Sequence, residues 1–272
     1  MENNLNQAAI AEVIAIGNEI LIGKTLDSNT NWLIKKLTNS GVFVKRAFVV
    51  RDNINDITEA LHLALEAATL IITTGGLGPT IDDLTLEAVS HALNIPMEVN
   101  TEALKMVRER YHHFYDEGFI DSKVIIPTRK KMAILPSGGS PIYNSVGAAP
   151  GVLLNHEKAL ILMLPGVPKE MEAVFEEVAE SIKSRIGRLE NLEVKEIGTN
   201  TRDESKLAPI LKSIQKDVNG VFLKSLATHF GKHNGMKIRI IVNGNDKKIA
   251  EEKIEKVEKL LAEKYSIKLY EE

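Results

Sequence analysis

Cysteine is absent from the 272 residues, which excludes disulfides, thiolate zinc sites and a cysteine nucleophile. No apolar run approaches the roughly 20 residues that cross a bilayer. The first residues also lack the basic stretch and long apolar core of a signal peptide. A cytoplasmic protein without a membrane partner is therefore expected. Strong charge of one sign is missing too, since the net charge is −3 and gives no global nucleic-acid signature. The charge is uneven, however: residues 188–272 hold 17 Lys and Arg against 14 Asp and Glu. That imbalance hints weakly at an anionic partner and equally describes a solvated surface, so nucleic acid is not an expected partner. Three motifs are missing as well. There is no Gly-x-x-x-x-Gly-Lys-[Ser/Thr] loop, no Gly-x-Gly-x-x-Gly and no Gly-x-Ser-x-Gly, so the P-loop, dinucleotide-fingerprint and serine-hydrolase readings fall away.

What is present is an ordinary globular composition, 44% hydrophobic and 26% charged, on a chain long enough for two domains. We place them at 1–187 and 188–272, with the boundary near Gly187. The first part alternates strand and helix signals: strands at 12–16, 42–50 and 69–74, and helices at 29–37, 54–68 and 83–93. That rhythm describes right-handed βαβ units and a mostly parallel sheet covered on both faces, a three-layer α/β/α fold. Residues 101–130 interrupt it with a helix carrying Tyr111, His112, His113, Phe114 and Tyr115. Adjacent histidines on a helix point about 100° apart and do not chelate from one face, so an inserted flap beside the site is expected there rather than a metal centre. The sheet pattern resumes at 131–135, 150–154 and 160–164, followed by a long helix at 169–186. Residues 191–272 read as β-α-β-β-α-β, a small two-layer α/β domain.

The stretch richest in chemistry is Gly75-Gly76-Leu77-Gly78-Pro79-Thr80-Ile81-Asp82-Asp83, between the third strand and the next helix. Glycines without Cβ allow close backbone approach and φ > 0. The free N–H groups of such a turn make a concavity for phosphate. Asp82 and Asp83 in the same place would repel phosphate unless a divalent cation lies between them, and Mg²⁺ takes one or two carboxylates plus phosphate oxygens. Other strand ends add Gly17-Asn18-Glu19, Asp27-Ser28-Asn29, Asp52, Asn144-x-x-Gly147 with Gly151, and Pro165-Gly166 with Glu170. In an open parallel sheet these ends converge on one ligand crevice. Several have purely structural readings. Asp27 or Ser28 can cap the helix at Asn29, Asp52 can cap the helix near Asn55, and Asp82 can cap the helix that follows it. Gly231 to Gly235 lies between two expected strands and does not read as an RNA-clamping Gly-x-x-Gly between helices.

Taken together, Gly17-Asn18-Glu19-Ile20-Leu21, Asp27-Ser28-Asn29, Gly75-Gly76-Leu77-Gly78-Pro79-Thr80-x-Asp82-Asp83-x-Thr85, Asn144-x-x-Gly147-x-Ala149-Pro150-Gly151 and Leu164-Pro165-Gly166-x-Pro168-x-Glu170-Met171 resemble the N-terminal domain of the CinA family, in the MoaB/Mog superfamily of molybdopterin-binding proteins. Residues 191–272 resemble the small KH-type domain that follows it. The sequence ends at Glu272, before the domain that gives longer members nicotinamide-mononucleotide amidase activity, and that activity is not expected here. The resemblance implies binding of a nucleotide or pterin pyrophosphate, with Mg²⁺ and a monovalent cation as cofactors. In one branch this is metal-dependent hydrolysis of ADP-ribose to AMP and ribose 5-phosphate. In the other it is molybdopterin binding or adenylylation. A non-catalytic ligand-binding protein of the same fold is the third alternative.

On this reading Asp82 and Asp83 hold the metal, while Glu19, Asp52 and Asp83 are catalytic, with Glu19 or Asp52 as general base. Gly75, Gly76, Gly78 and Thr80 cradle phosphate. Asn144, Gly147 and Gly166 line the nucleoside or pterin end, and Gly17, Asn18, Asp27, Asn29, Gly151, Pro165 and Glu170 complete the substrate contacts. A homo-oligomer, dimer or trimer, is expected.

Overall fold

Three central strands of the first unit are mostly apolar, with only Glu12, Thr73 and Thr74 polar, and this decides where the sheet lies. In the computed structural model, β1 (Ile10–Ile16), β3 (Leu70–Thr74) and β8 (Ala159–Leu164) are buried at nearly every position, as strands covered on both faces must be. β2 (Phe43–Val50) alternates between exposed and half-buried residues and forms one edge. The sheet order is β2-β1-β3-β8-β7-β6, with β2, β1, β3 and β8 parallel. The structure describes residues 9–157, 159–185, 191–226, 235–244 and 247–270, without the side chains of 191, 192, 243 and 244. The expected boundary at Gly187 and the run Gly231–Asn234 lie outside them.

Helices cover both faces. On one side α3 (Ile54–Leu65), α4 (Thr85–Leu93) and α5 (Thr101–Asp116) pack against Ile14, Ile16, Ile71, Ile161 and Met163 in one apolar cluster. On the other, α2 (Ser28–Asn39) and α7 (Pro168–Arg185) meet edge-to-face through Trp32 and Phe175, ring centroids 5.4 Å apart. The helix after β1 therefore leaves toward one face and the helix after β3 toward the other. Such a divergence between adjacent parallel strands opens a crevice beyond their carboxyl ends.

The chain divides into two compact units, the larger holding β1 to α7. The smaller carries β9 (Asn191–Thr199), α8 (Glu204–Asp217), β10 (Val221–Leu226), β11 (Lys237–Gly244), α9 (Lys247–Lys259), a π-helical turn (Leu260–Lys264) and β12 (Leu269–Tyr270). Its sheet is antiparallel, in the order β10-β11-β9-β12, the ferredoxin-like split βαβ arrangement. Leu207, Leu211, Ile254 and Val257 of its helices pack into one core with the sheet.

Several expectations are corrected. Residues 131–135 do not join the central sheet. Pro127 begins a short helix, α6 (Pro127–Lys131), because its missing N–H costs nothing at a first helical position. β5 (Ile134–Pro136) then pairs with β4 (Met97–Val99) in a separate hairpin-like sheet. β7 (Gly151–His156) runs antiparallel to β8, and a further strand, β6 (Ser140–Ile142), pairs with it. Helix α5 is no flap: Ala103, Val107 and Arg110 are buried. Tyr111 is half-buried beneath the Arg129 guanidinium, 4.0 Å from the ring centroid.

Gly151 is packing-critical, since a Cβ there would overlap Val174 Cγ1 of α7. Gly151→Ala is expected to cost about 1–3 kcal/mol by overpacking, and calorimetry should show a lower Tm. Adding Val174→Ala should recover part of the loss, and a double variant no better than the sum of the singles contradicts this account.

Candidate functional site

Gly75 is where the strand ends meet. Its N–H donates to the Leu164 carbonyl of β8 at 3.0 Å, and a Cβ on it would overlap the Ile16 carbonyl of β1. Its φ of +108° and that of Gly76, +67°, lie in the region that favours glycine. Thr85 at the start of α4 fixes the turn from below, its hydroxyl donating to Gly75 O at 2.7 Å and its N–H to Gly76 O at 3.1 Å. Gly166 packs directly on Gly75, 3.3 Å from a Cβ position to the Gly75 Cα. The two glycine loops thus form one tightly packed floor.

The acidic residues are arranged on this floor in two groups. Thr80 donates from both its N–H and its hydroxyl to Asp83 Oδ2, at 2.7 and 2.6 Å, and the same hydroxyl reaches Asp82 Oδ1. This closes a turn, so α4 begins at Thr85 rather than at Asp83, and neither aspartate caps the helix with its side chain. The Thr80 hydroxyl and the Asp82 backbone N–H hold the Asp82 carboxyl below the usual carboxylate range, with the Lys131 ammonium adding to the effect. Lys131 also donates to the Thr80 carbonyl.

Asp52 belongs to the second group. The helix cap expected of it is supplied by Asn53, whose side chain accepts from Asn55 and Asp56 N–H. Asp52 Oδ2 instead accepts the Asn18 N–H at 2.7 Å, tying the end of β2 to the loop after β1. Burial pushes its carboxyl up and the Asn18 N–H opposes this, while the nearby charges of Glu19 and Asp82 push it up further. Glu19 and Asp82, from two other strand ends, therefore both act on Asp52.

Other site residues have structural employment. Asp27 Oδ1 accepts the Thr30 N–H at 2.9 Å and caps α2. Asn29 Nδ2 donates to Thr74 Oγ1 and Gly166 O at 2.9 and 2.8 Å, pinning α2 to both β3 and the β8 loop. Thr74 Oγ1 in turn donates to Pro165 O at 3.0 Å. Asn29 Oδ1 and Thr73 Oγ1 are buried without a partner, neutral oxygens of the kind that an ordered water or a ligand hydroxyl satisfies. Asn144 is consumed within its own loop. Its amide donates to Ala149 O and Glu170 Oε2, and its Oδ1 accepts from Val146 and Gly147 N–H. Arg110 holds that loop from behind through the Gly147 and Val146 carbonyls at 2.8 and 2.7 Å. Glu170 is raised by burial, against the Asn144 amide and the Arg110 charge, which lower it. Gly147 has no Cβ because Glu170 occupies that space.

On the far side of the glycine turn lies a cavity of about 270 Å³, lined by Gly76, Leu77, Gly78, Asp83, Leu86, Glu87, Met97, Lys131 and Ile134. The sequence singled out only its glycines and Asp83. Lys131 and Ile134 were hidden by the assignment of 131–135 to a sheet strand, and Arg110 by the idea of a flap.

Among the described residues no group of three or more His, Cys, Asp or Glu side chains is placed to hold a metal ion. The donors do fit Mg²⁺ in the mode that needs one or two carboxylates and takes its remaining oxygens from phosphate and water, with Asp82 and Asp83 converging on Thr80. Among the same residues no helix is long and apolar enough to cross a membrane.

The electrostatics of Asp52 yield a test. Its carboxyl is raised in the folded protein, so its ionised form costs stability above the folded value, and the cost disappears below the unfolded value of about 3.9. Asp52→Asn keeps the acceptor for Asn18 and removes the charge. Thermal melts at pH 7 should show the variant at least as stable as wild type. Any gain should vanish as the pH falls through the carboxylate range, and a variant less stable only at pH 7 contradicts this.

Residues 12–184 match the family described as a probable molybdopterin binding domain, MoCF_biosynth. A protein of Pyrococcus abyssi is 40% identical over 246 residues, 90% of this chain and 94% of that protein. One of Pyrobaculum aerophilum is 38% identical over 260 residues, 95% of each. Among solved structures, the protein CinA from Thermoplasma acidophilum, itself described as of unknown function, is 38% identical with a TM-score of 0.58. The match covers 64% of this chain and 98% of that one. The chain belongs to the probable molybdopterin binding domain family and has a CinA protein as a structural neighbour.

Proposed function

We propose that the first unit binds a nucleotide or pterin diphosphate on the glycine floor and, with Mg²⁺, hydrolyses ADP-ribose to AMP and ribose 5-phosphate. The observation that carries this reading is that Asp52 lies in the field of Glu19 and Asp82, from two other strand ends, beside a tight turn with positive φ at Gly75 and Gly76, a kind of turn that presents backbone N–H groups to phosphate. Mg²⁺ supplies charge neutralisation for the diphosphate. The turn at Gly75–Thr80 orients the phosphates, Asp82 and Asp83 provide carboxylate oxygens, and Asp52 accepts the proton of the attacking water. Its raised affinity for protons suits that task, since a general base works best with a pKa drawn toward neutrality. Water oxygen forms the new P–O bond, the bridging P–O bond breaks, and the products are two monophosphates.

Molybdopterin binding, with or without adenylylation, is a second reading of the same site, and the family description supports it equally. A ligand-binding protein without catalysis is the third. The small unit, expected as KH-type, has among its described residues no Gly-x-x-Gly turn of the kind that clamps RNA, so the binding role is proposed for the first unit alone. We propose a homo-oligomer as well.

Incubating the full chain with ADP-ribose and Mg²⁺, and separately with molybdopterin and ATP, separates the first two readings. Asp83→Asn should lower ADP-ribose turnover at least about 10²-fold, roughly 3 kcal/mol of transition-state stabilisation, with little change in Tm because the amide oxygen still accepts from Thr80. Turnover equal to wild type removes Asp83 from the metal set. A wild type that leaves ADP-ribose intact removes the hydrolase reading.

A further inference from the structure

The sequence reading put the nucleoside or pterin end of the ligand at Asn144, Gly147 and Gly166; Asn144 and Gly147 are buried and Gly166 is exposed. The hydrogen bonds of the Asn144 amide go to its own loop and to Glu170 of α7, the residue is 1% exposed, and Glu170 fills the room beside Gly147. A flat ring is better served by a recess within reach of the phosphate turn.

We propose that the cavity between the glycine turn, α4 and the β4–β5 pair seats the ligand's heteroaromatic ring, an amino-bearing fused ring such as a purine or a pterin. The inference rests on the diphosphate reading above and adds to it the place of the ring. Four features carry it. Gly76 and Gly78 belong to both the turn and the cavity wall, so a ligand with phosphates on one side of the turn continues into the cavity without crossing a side chain. Leu77, Leu86, Met97 and Ile134 give the cavity an apolar wall, with Leu77 and Leu86 buried and Met97 and Ile134 half-buried. Flat rings gain from such a wall, and methionine is the side chain most able to adapt to an aromatic face. The volume, about 270 Å³, is ample for one fused ring.

The polar groups agree with this orientation. Glu87 also lines the cavity, and its carboxylate can accept hydrogen bonds from ring N–H and amino groups. Lys131 lines the cavity too. Its ammonium donates to the Thr80 carbonyl and depresses the Asp82 carboxyl, which puts positive charge on the side where the phosphates run. An acceptor for a ring and a cation for phosphate thus line one cavity.

Binding to the full chain is measured by titration calorimetry with AMP, with neopterin phosphate and with ribose 5-phosphate as the ring-free control. At least one ring-bearing ligand should bind about tenfold or more tightly than the control. Met97→Trp fills the cavity and should weaken the ring-bearing ligand at least tenfold, leaving ribose 5-phosphate within twofold. Glu87→Gln, at an exposed helix position that tolerates the change, should weaken the same ligand about tenfold by removing a charged acceptor and likewise spare the control. It reports on the cavity even if Met97→Trp fails to fold.

Equal affinity for ring-bearing and ring-free ligands in wild type overturns the proposal. So does a folded Met97→Trp, or a Glu87→Gln, whose ring affinity is unchanged. A wild type that binds a ring monophosphate in this way yet leaves ADP-ribose intact contradicts the hydrolase reading alone. One that hydrolyses ADP-ribose while both variants bind like wild type contradicts the ring assignment alone. AMP against neopterin phosphate then tells which ring the cavity prefers.

Discussion

The contact between Gly75 and the Ile16 carbonyl leaves no room for a Cβ, and the rest of the site follows from it. Because the backbone of β3 turns there against the ends of β1 and β8, three loops that start on separate strands end on one floor. Thr85 secures the turn from α4, Asn29 secures it from α2, and Gly166 closes the packing. Helices on opposite faces of the sheet are thereby tied to one point. The acidic residues acquire their mutual field only because that point is so compact. Any side chain at Gly75 would push β1 away from β3 and separate Asp52 and Glu19 from Asp82.

Much of this was legible in the sequence, for a physical reason. Apolar runs such as Leu70 to Ile72 report two-sided burial directly, and glycines crowded between a strand and a helix report a turn that side chains cannot enter. What was illegible involves residues with two physical uses. Asp27, Asp52 and Asp83 are all residue types that cap helices or face ligands. The structure gives the cap at α2 to Asp27, the cap at α3 to Asn53 and a bridging role to Asp52. Asn144 looked like a ligand contact because it is polar among small residues, and it is instead the keystone of its own loop. Apolar Met132 to Leu135 followed by Pro136 suits a sheet strand as well as a short helix feeding a hairpin. Only the pairing of β5 with β4 distinguishes them, and pairing is a property of distant residues.

The site also shows how a protein tolerates carboxylates placed near one another. Asp82 is held ionised by the Thr80 hydroxyl and by Lys131, whereas Asp52 is left with a single N–H and two like charges nearby. Neighbouring acids with opposite tendencies are what proton transfer beside an anion requires. The same arrangement is a liability for stability, a common trade at functional sites. Glu170 and Arg110 show the structural counterpart. There a half-buried acid is balanced by a buried base, and both hold the Asn144 loop.

The two walls of the crevice differ in how they are anchored. From Asn18 to Leu26 no side chain is buried, and the four-residue helix α1 (Asn18–Leu21) is held only by its own backbone hydrogen bonds and the Asn18–Asp52 tie. The opposite wall, through Leu77, Thr85 and Leu86, is part of the core. Segments without buried apolar contacts open at small local free energies, while core segments open only with global unfolding. Amide exchange in the β1 loop is therefore expected to proceed through frequent local openings while the Thr85 turn stays protected. Glu19 is thus carried on a hinged lip and Asp83 on a fixed jaw.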